Sequence, residues 1–246
     1  VIETRGDLNF DHEPERSFRV RSRLEGEDSK DIERQVGGEL ENESNSVDLE
    51  NPEDELAVYR KGDEYILGEI VEDIDRGLFE KRSNEKRPFS SPVSLDPVTA
   101  RLLVNLSGIE PCGKLLDPFC GTGGILIEAG LCGVAVHGRD ASQEMVSGSR
   151  KNLEEYGIIN HDIRHAEVSK SGEDVEEFDA VVTDLPYGKA SKETGEPVEE
   201  FLKLLDSGVP SVFMYNKESF DGLEPEFEIY VHKNLTRYIY LENINY

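Results

Sequence analysis

Two short segments hold the residues whose types and spacing can do chemistry. Leu115-Leu116-Asp117-Pro118-Phe119-Cys120-Gly121-Thr122-Gly123-Gly124 carries an apolar stretch into a glycine-rich loop. Further on, Asp179-Ala180-Val181-Val182-Thr183-Asp184-Leu185-Pro186-Tyr187-Gly188 carries another apolar stretch into a carboxylate, a proline and an aromatic ring. In an open parallel sheet such loops meet above the carboxyl ends of the strands, where ligands bind. Glycine lets the backbone come close to a ligand. Asp117 can bind an amino group. Asp140 closes the next apolar stretch, and an acid there suits a ribose diol, by the logic that places one about 20 residues after a dinucleotide loop.

The second loop has its own chemical logic. An exocyclic amine on a base is a weak nucleophile, because its lone pair is delocalised into the ring. An acceptor aimed at the N–H raises electron density on nitrogen and takes up the developing positive charge. Asp184 and the backbone carbonyl near Leu185 can play that part, Pro186 stiffens the loop, and Tyr187 can stack on an extruded base. One loop for a cofactor and one for a planar substrate group point to methyl transfer from S-adenosylmethionine. A triphosphate loop would end in Gly-Lys-Ser/Thr, which is absent, and a dinucleotide loop needs a third glycine where Leu126 stands. The plainer alternatives are a ligand-free strand-to-helix turn, solvated loop acids at Asp117 and Asp140, and an ordinary proline turn after Asp184.

The elements that must position these loops read as α/β. Asp96-Pro97 is a helix start, with Asp as N-cap and Pro at the first helical position. Strands and helices then alternate: strand 115–117, helix 124–131, strand 134–139, helix 142–156, a short strand near Ile163, strand 180–183, helix 198–206 and strand 209–215. Such alternation predicts a parallel sheet. The stretches 227–232 and 237–241 are joined too tightly for anything but antiparallel pairing, so the sheet closes with a hairpin.

A smaller α/β unit precedes this one. From Ser17 to Leu24 apolar Phe18, Val20 and Leu24 alternate with Arg19, Arg21 and Arg23, which predicts a half-buried strand with a basic outer face. Ser29 is placed to cap a helix with Ile32, Val36 and Leu40 on one side, and two strands flank the turn Lys61-Gly62-Asp63. The expected division is a first unit over 1–82, a polar, basic linker over 83–88 and a second unit over 89–246.

Charge is the other strong signal. The net charge is −26, with 33% charged and 36% hydrophobic residues, and the acidity is spread over both halves, which predicts an acidic folded surface rather than a tail. Phosphate contacts dominate nucleic-acid affinity, so an acidic protein is a poor default binder. A molar-salt cell interior, where the screening length falls to about 3 Å, reconciles this charge with an RNA substrate; otherwise the substrate is not nucleic acid. Cys112, Cys120 and Cys132 lack metal-ligand spacing and sit in apolar stretches, which predicts a reduced cytosolic protein with no metal site. No apolar run approaches the roughly 18 residues of a membrane span. The chain begins at Val1, which reads as a fragment or processed form with a segment upstream.

At the two loops the chain resembles the class I amino-methyltransferases of nucleic acid bases. Arg87-Pro88-Phe89-Ser90-Ser91-Pro92-Val93-Ser94-Leu95, the helix through Arg101 and Asn105, and Leu235-Thr236-Arg237 make it similar to the archaeal tRNA guanine-10 N2-methyltransferases. The unit from Phe18 to Lys81 resembles that family's THUMP domain. The resemblance implies a Rossmann-like sheet with the glycine-loop strand central and an antiparallel last strand. It implies S-adenosylmethionine against Asp117, Phe119, Cys120, Gly121, Thr122, Gly123 and Asp140, with Glu167 near the adenine, although the usual Gly-Asp-Ala reads Ala166-Glu167-Val168 here. It implies catalysis by Asp184, Leu185, Pro186 and Tyr187, with Leu185 replacing the first proline of the commoner Asp-Pro-Pro-Tyr. The THUMP-like unit would grip tRNA, with Arg19, Arg21, Arg23, Lys81 and Arg82 as phosphate contacts; surface charge alone explains them equally well. Some relatives work with a small zinc-containing activator protein. Two other functions stay open: methylation of another planar amine or amide (a ribosomal guanine, adenine N6 or a glutamine side chain), and a non-catalytic RNA-binding subunit with this fold.

Overall fold

A computed structural model describes residues 1–24, 28–72, 74–92, 94–186, 196–233 and 235–244. Its packing divides into two units, Val1–Asp75 and Arg76–Tyr246. The first contains β1 (Glu3–Arg5), β2 (Phe18–Ser22), α1 (Ser29–Leu40), β3 (Asp54–Lys61) and β4 (Glu64–Glu69), in a sheet of order β1-β4-β3-β2. The alternation in β2 sends Phe18 and Val20 inward, onto Ile32, Val36 and Leu40 of α1 and Leu56, Val58 and Leu67 of the sheet. Strands β2 and β3 are parallel, so a crossover is required, and α1 supplies it. The helix is capped by Asp28, which accepts from the Lys30 N–H at 3.1 Å, one residue ahead of the expected Ser29. Strand β1 carries no periodic signal because three residues are too few to show one.

The second unit opens with α2 (Gly77–Glu80), followed by α3 (Pro97–Leu106). Asp96 caps α3, accepting from the Thr99 N–H at 3.0 Å, with Pro97 at its start. Then come β5 (Lys114–Asp117), α4 (Gly124–Leu131), β6 (Ala135–Asp140), α5 (Gln143–Glu155), β7 (His161–His165), β8 (Ala180–Asp184), α6 (Glu196–Leu205), β9 (Ser211–Tyr215), β10 (Phe227–His232) and β11 (Leu235–Glu242). The sheet order is β10-β11-β9-β8-β5-β6-β7. The strands β5 to β9 are mutually parallel, and β11 is antiparallel to both β9 and β10. Successive residues alternate between two cores. Leu115, Val182, Met214 and Ile239 face the core shared with α3, α4 and α5, while Leu116, Val181, Phe213 and Tyr240 face the core shared with α6. Burying each such side chain contributes about 1.5–3 kcal/mol relative to exposure.

The boundary between the units falls at Asp75–Arg76, ahead of the expected linker. The charges that mark residues 80–88 as a solvated connector are built into the second unit. Arg82 donates from Nε and Nη2 to the carboxylate of Glu128 at 2.7 and 2.9 Å, and Arg101 reaches the same carboxylate at 3.0 Å. Glu128 is fully buried in α4, and Arg87 is buried beside this group, donating from Nε to the Arg82 carbonyl at 3.0 Å. Burying a carboxylate is costly unless it is paired and hydrogen-bonded in this way. Among the described residues no helix is long and apolar enough to cross a membrane.

Candidate active site

Strands run from β5 to β6 and β7 on one side, and β8 and β9 lie on the other. The carboxyl ends of β5 and β8 therefore flank the point where the strand order reverses, the place where open α/β sheets bind ligands. Asp117 ends β5 and Asp184 ends β8. Asp117 is 2% exposed, and its Oδ1 accepts from the Phe119 N–H at 3.1 Å and from the Thr183 hydroxyl at 2.6 Å. Burial pushes its pKa up to about 7; the bonds from Thr183 and Phe119 oppose the shift, and the charges of Asp140 and Asp184 add to it. Such a carboxyl invites a cationic partner, whose charge would offset the cost of ionising it.

The glycine loop starts at once. Gly121 has φ +49 and its N–H donates to Asp140 Oδ2 at 2.9 Å, while Asp140 Oδ1 accepts from the Ser142 N–H at 2.8 Å. Asp140 is thus fixed between the loop and the start of α5, with its pKa raised by burial. Gly123 has φ +80, and a Cβ there would lie 2.5 Å from Ser149 Oγ, so α5 passes against the loop where no other residue fits. Thr122 faces away from the open side: its hydroxyl lies 2.9 Å from Ser94 Oγ, and its carbonyl accepts from Asn152 Nδ2 at 2.8 Å. The same Asn152 bonds Phe89 through both backbone groups, at 2.9 and 2.8 Å. Cys120 is buried, its thiol pushed well above the usual range by desolvation, so it supports the loop without being reactive. Phe119 is partly buried, with its ring 6.1 Å from that of Phe201. Glu167 lies exposed just beyond β7 on the same edge of the sheet.

Asp184 has the most telling environment. Its Oδ2 accepts from Arg237 Nη1 at 3.0 Å. Its Oδ1 is shielded from water and makes no hydrogen bond with any described residue. A buried acceptor left unpaired costs roughly 1–3 kcal/mol, so its presence asks for a donor. Burial lifts the Asp184 pKa to about 6 against the pull of Arg237. Leu185 is fully buried and its N–H donates to the Met214 carbonyl at 2.9 Å, which ties the loop to β9. Pro186 is half-buried. Tyr187, named above as a stacking residue, lies outside the described residues. Thr183 and Arg237 carry no periodic or motif signal for their roles; they emerge only when β5, β8 and β11 are brought together.

The basic candidates separate. Arg21 and Arg23 are exposed at and just after the edge strand β2, whereas Arg19 is tied to Glu55 and to the Leu49 carbonyl. Lys81 is exposed, but Arg82 is held in the Glu128 ion pair, which corrects its reading as a phosphate contact. Among the described residues no group of His, Cys, Asp and Glu is placed to hold a metal.

Comparison with known proteins identifies the family. The family model of the RMKL-like methyltransferase domain (UPF0020) matches residues 84–207. A tRNA (guanine(10)-N2)-dimethyltransferase of Methanothermobacter thermautotrophicus is 42% identical over 195 residues, covering 78% of this chain and 58% of that protein. The enzyme of the same name from Pyrococcus abyssi is 32% identical over 228 residues, covering 86% of this chain and 68% of the relative. The chain thus spans less than two thirds of the length of the first of these. In fold it is similar to the crystal structure of TrmN from Thermus thermophilus, with TM-score 0.52 and 23% identity over 93% of this chain and 72% of that one.

Proposed function

The chain belongs to the RMKL-like methyltransferase-domain family, and from that premise we propose that it methylates the exocyclic N2 of a guanine in tRNA, guanine 10, with S-adenosylmethionine as donor. The observation that carries the reading is Asp184 Oδ1, a water-shielded acceptor with no hydrogen bond among the described residues, set beside the glycine loop at the sheet's switch point. The relatives' names supply the base and the position.

The residues present fit the cofactor. Asp117 is a buried carboxyl in need of a positive partner, which the donor's amino group provides. Asp140 has both oxygens fixed by backbone N–H groups, with lone pairs left for ribose hydroxyls. A Cβ built on Gly121 meets nothing closer than 4.0 Å, so the loop is open on that side. Glu167 stands within the same edge for the adenine. The bound donor supplies an electrophilic methyl on a sulfonium. The chain's own groups would do the rest: Asp184 Oδ1 would accept the N–H of the base, raise electron density on N2, stabilise the cation that forms as the methyl's bond to sulfur is exchanged for one to nitrogen, and take the proton that this nitrogen then loses. The Leu185 carbonyl is a second acceptor for the extruded base; Tyr187, the stacking residue the resemblance implies, lies outside the described residues.

Residues 1–75 act as a THUMP-like RNA-binding unit, with Arg21 and Arg23 as its phosphate contacts. The −26 charge is an adaptation to a cytoplasm of molar salt, and a small zinc-containing activator protein is a partner to seek. The test is methyl transfer from labelled S-adenosylmethionine to unmodified tRNA in molar KCl, followed by nucleoside analysis. N2-methylguanosine or N2,N2-dimethylguanosine that disappears when guanine 10 is replaced is the expected result, since one or two methyl additions both fit the reading. A different methylated nucleoside, or cofactor binding without transfer even with the activator present, would overturn it.

A further inference from the structure

We propose that Arg237 is a positioning residue for methyl transfer: it holds one oxygen of Asp184 so that the other, Oδ1, is the single acceptor shown to the substrate amine. The inference rests on the functional reading above and adds a residue to it. Arg237 Nη1 lies 3.0 Å from Asp184 Oδ2, and the two side chains are 11% and 18% exposed, so the pair is shielded from competing water. The last torsion of an aspartate is broad and nearly two-fold, so an unrestrained carboxylate presents either oxygen at many angles. A charge-assisted bond to one oxygen removes that freedom. The other oxygen is left buried and unpaired among the described residues. One oxygen is thus committed and the other left for a donor, which is the kind of preorganisation that catalysis by fixed dipoles needs.

The topology explains why an arginine from so late in the chain can reach the site. Asp184 pairs with Met214 across β8 and β9, and Tyr238 pairs with Tyr215 across β9 and β11. Because β11 runs against the others, its beginning, not its end, lies at the carboxyl edge. Among the described residues the charged groups acting on Asp184 are then Arg237 from β11 and Asp117 from β5.

The test uses the full chain in molar KCl with Arg237→Met and Arg237→Lys. Calorimetry gives cofactor affinity, and single-turnover transfer to tRNA is followed across pH. In Arg237→Met, cofactor affinity and KM for tRNA should match the parent, while kcat falls about 100-fold, the loss expected of a misplaced reacting group. The acidic limb of its rate profile should move to higher pH, since Asp184 loses the cation that favours its charged form. Arg237→Lys should regain part of the rate and bring the limb back. Parent-like rate and limb in Arg237→Met would overturn the proposal, as would a rate loss matched by lost cofactor affinity and not recovered by lysine. Carbon NMR of labelled aspartate, with Asp184→Asn to identify the resonance, reads the clamp without activity: the Asp184 titration must shift upward in Arg237→Met. A parent chain that transfers no methyl to tRNA would remove the functional reading alone, and the NMR titration would still decide the clamp.

Discussion

Asp117→Asn should make the protein more stable and less able to bind its cofactor. Asparagine keeps the oxygen that accepts from Phe119 and Thr183 and removes the charge. The magnitude follows from linkage. The folded pKa stands at about 7 against an ordinary value of 3.8. The folded state therefore holds this proton more tightly than the unfolded chain does. The carboxyl's contribution is most favourable below the unfolded value, and stability is lost as pH rises from there through the folded value. A shift of about three units corresponds to roughly 4 kcal/mol, as an order of magnitude, once the group is ionised in both states. Between about pH 5.5 and about pH 8.5 the part still to be lost is about 2 kcal/mol. Urea unfolding of parent and variant in molar KCl, without cofactor, measures the difference. The variant should lack about 2 kcal/mol of the parent's decline over that interval and be the more stable protein at the alkaline end. The other raised carboxyls, Asp140 and Asp184, are common to both proteins, and their coupling to Asp117 is smaller than the effect of its burial. Identical pH dependence in the two would refute the assignment of a strained, buried charge to Asp117.

Other outcomes follow from the same geometry. Asp184→Ala should abolish transfer, as judged by nucleoside analysis, while calorimetric cofactor binding is retained; near-parent turnover would remove Asp184 from the mechanism. Gly123→Ala combines φ +80 with a contact 2.5 Å from Ser149 Oγ, so it should cost about 1–3 kcal/mol in denaturant unfolding and weaken cofactor binding in parallel. Glu128→Ala leaves Arg82 and Arg101 beside a void with no counter-charge and should cost about 3–5 kcal/mol, visible as a lowered Tm. Lowering KCl from molar to dilute should unfold the chain, followed by circular dichroism; full stability in dilute buffer would contradict the salt-adapted reading of its charge.

How far the sequence spoke depends on whether the physics was local. The strand-to-loop switch at Asp117 and the N-cap at Asp96 are written in neighbouring residues, and both sit as the spacing predicts. Asp140 was legible because strand spacing in a parallel sheet is regular. The expected linker over 83–88 rested on composition, which reports how polar a segment is, not whether its charges find partners. Glu128 lies 46 positions from Arg82, and no periodicity links them. Arg237 was visible as part of a motif but silent as to role, because its partner is 53 positions away and the pairing is made by sheet order. The basic strand β2 shows a milder version: alternation correctly put Phe18 and Val20 inside, yet it could not tell that Arg19 would be drawn to Glu55 while Arg21 stayed exposed.

The reversed direction of β11 also bears on how the molecule is made. A nascent chain that has emerged through Tyr215 holds all five parallel strands, both helical layers and the glycine loop. At that stage Asp184 has been buried but its counter-charge has not been synthesised. Its carboxyl then lacks the cation that favours its charged form. Pairing of β11 with β9 is what brings Arg237 to the carboxylate. The antiparallel hairpin is thus both the last part of the sheet in chain order and the part that supplies the counter-charge of Asp184.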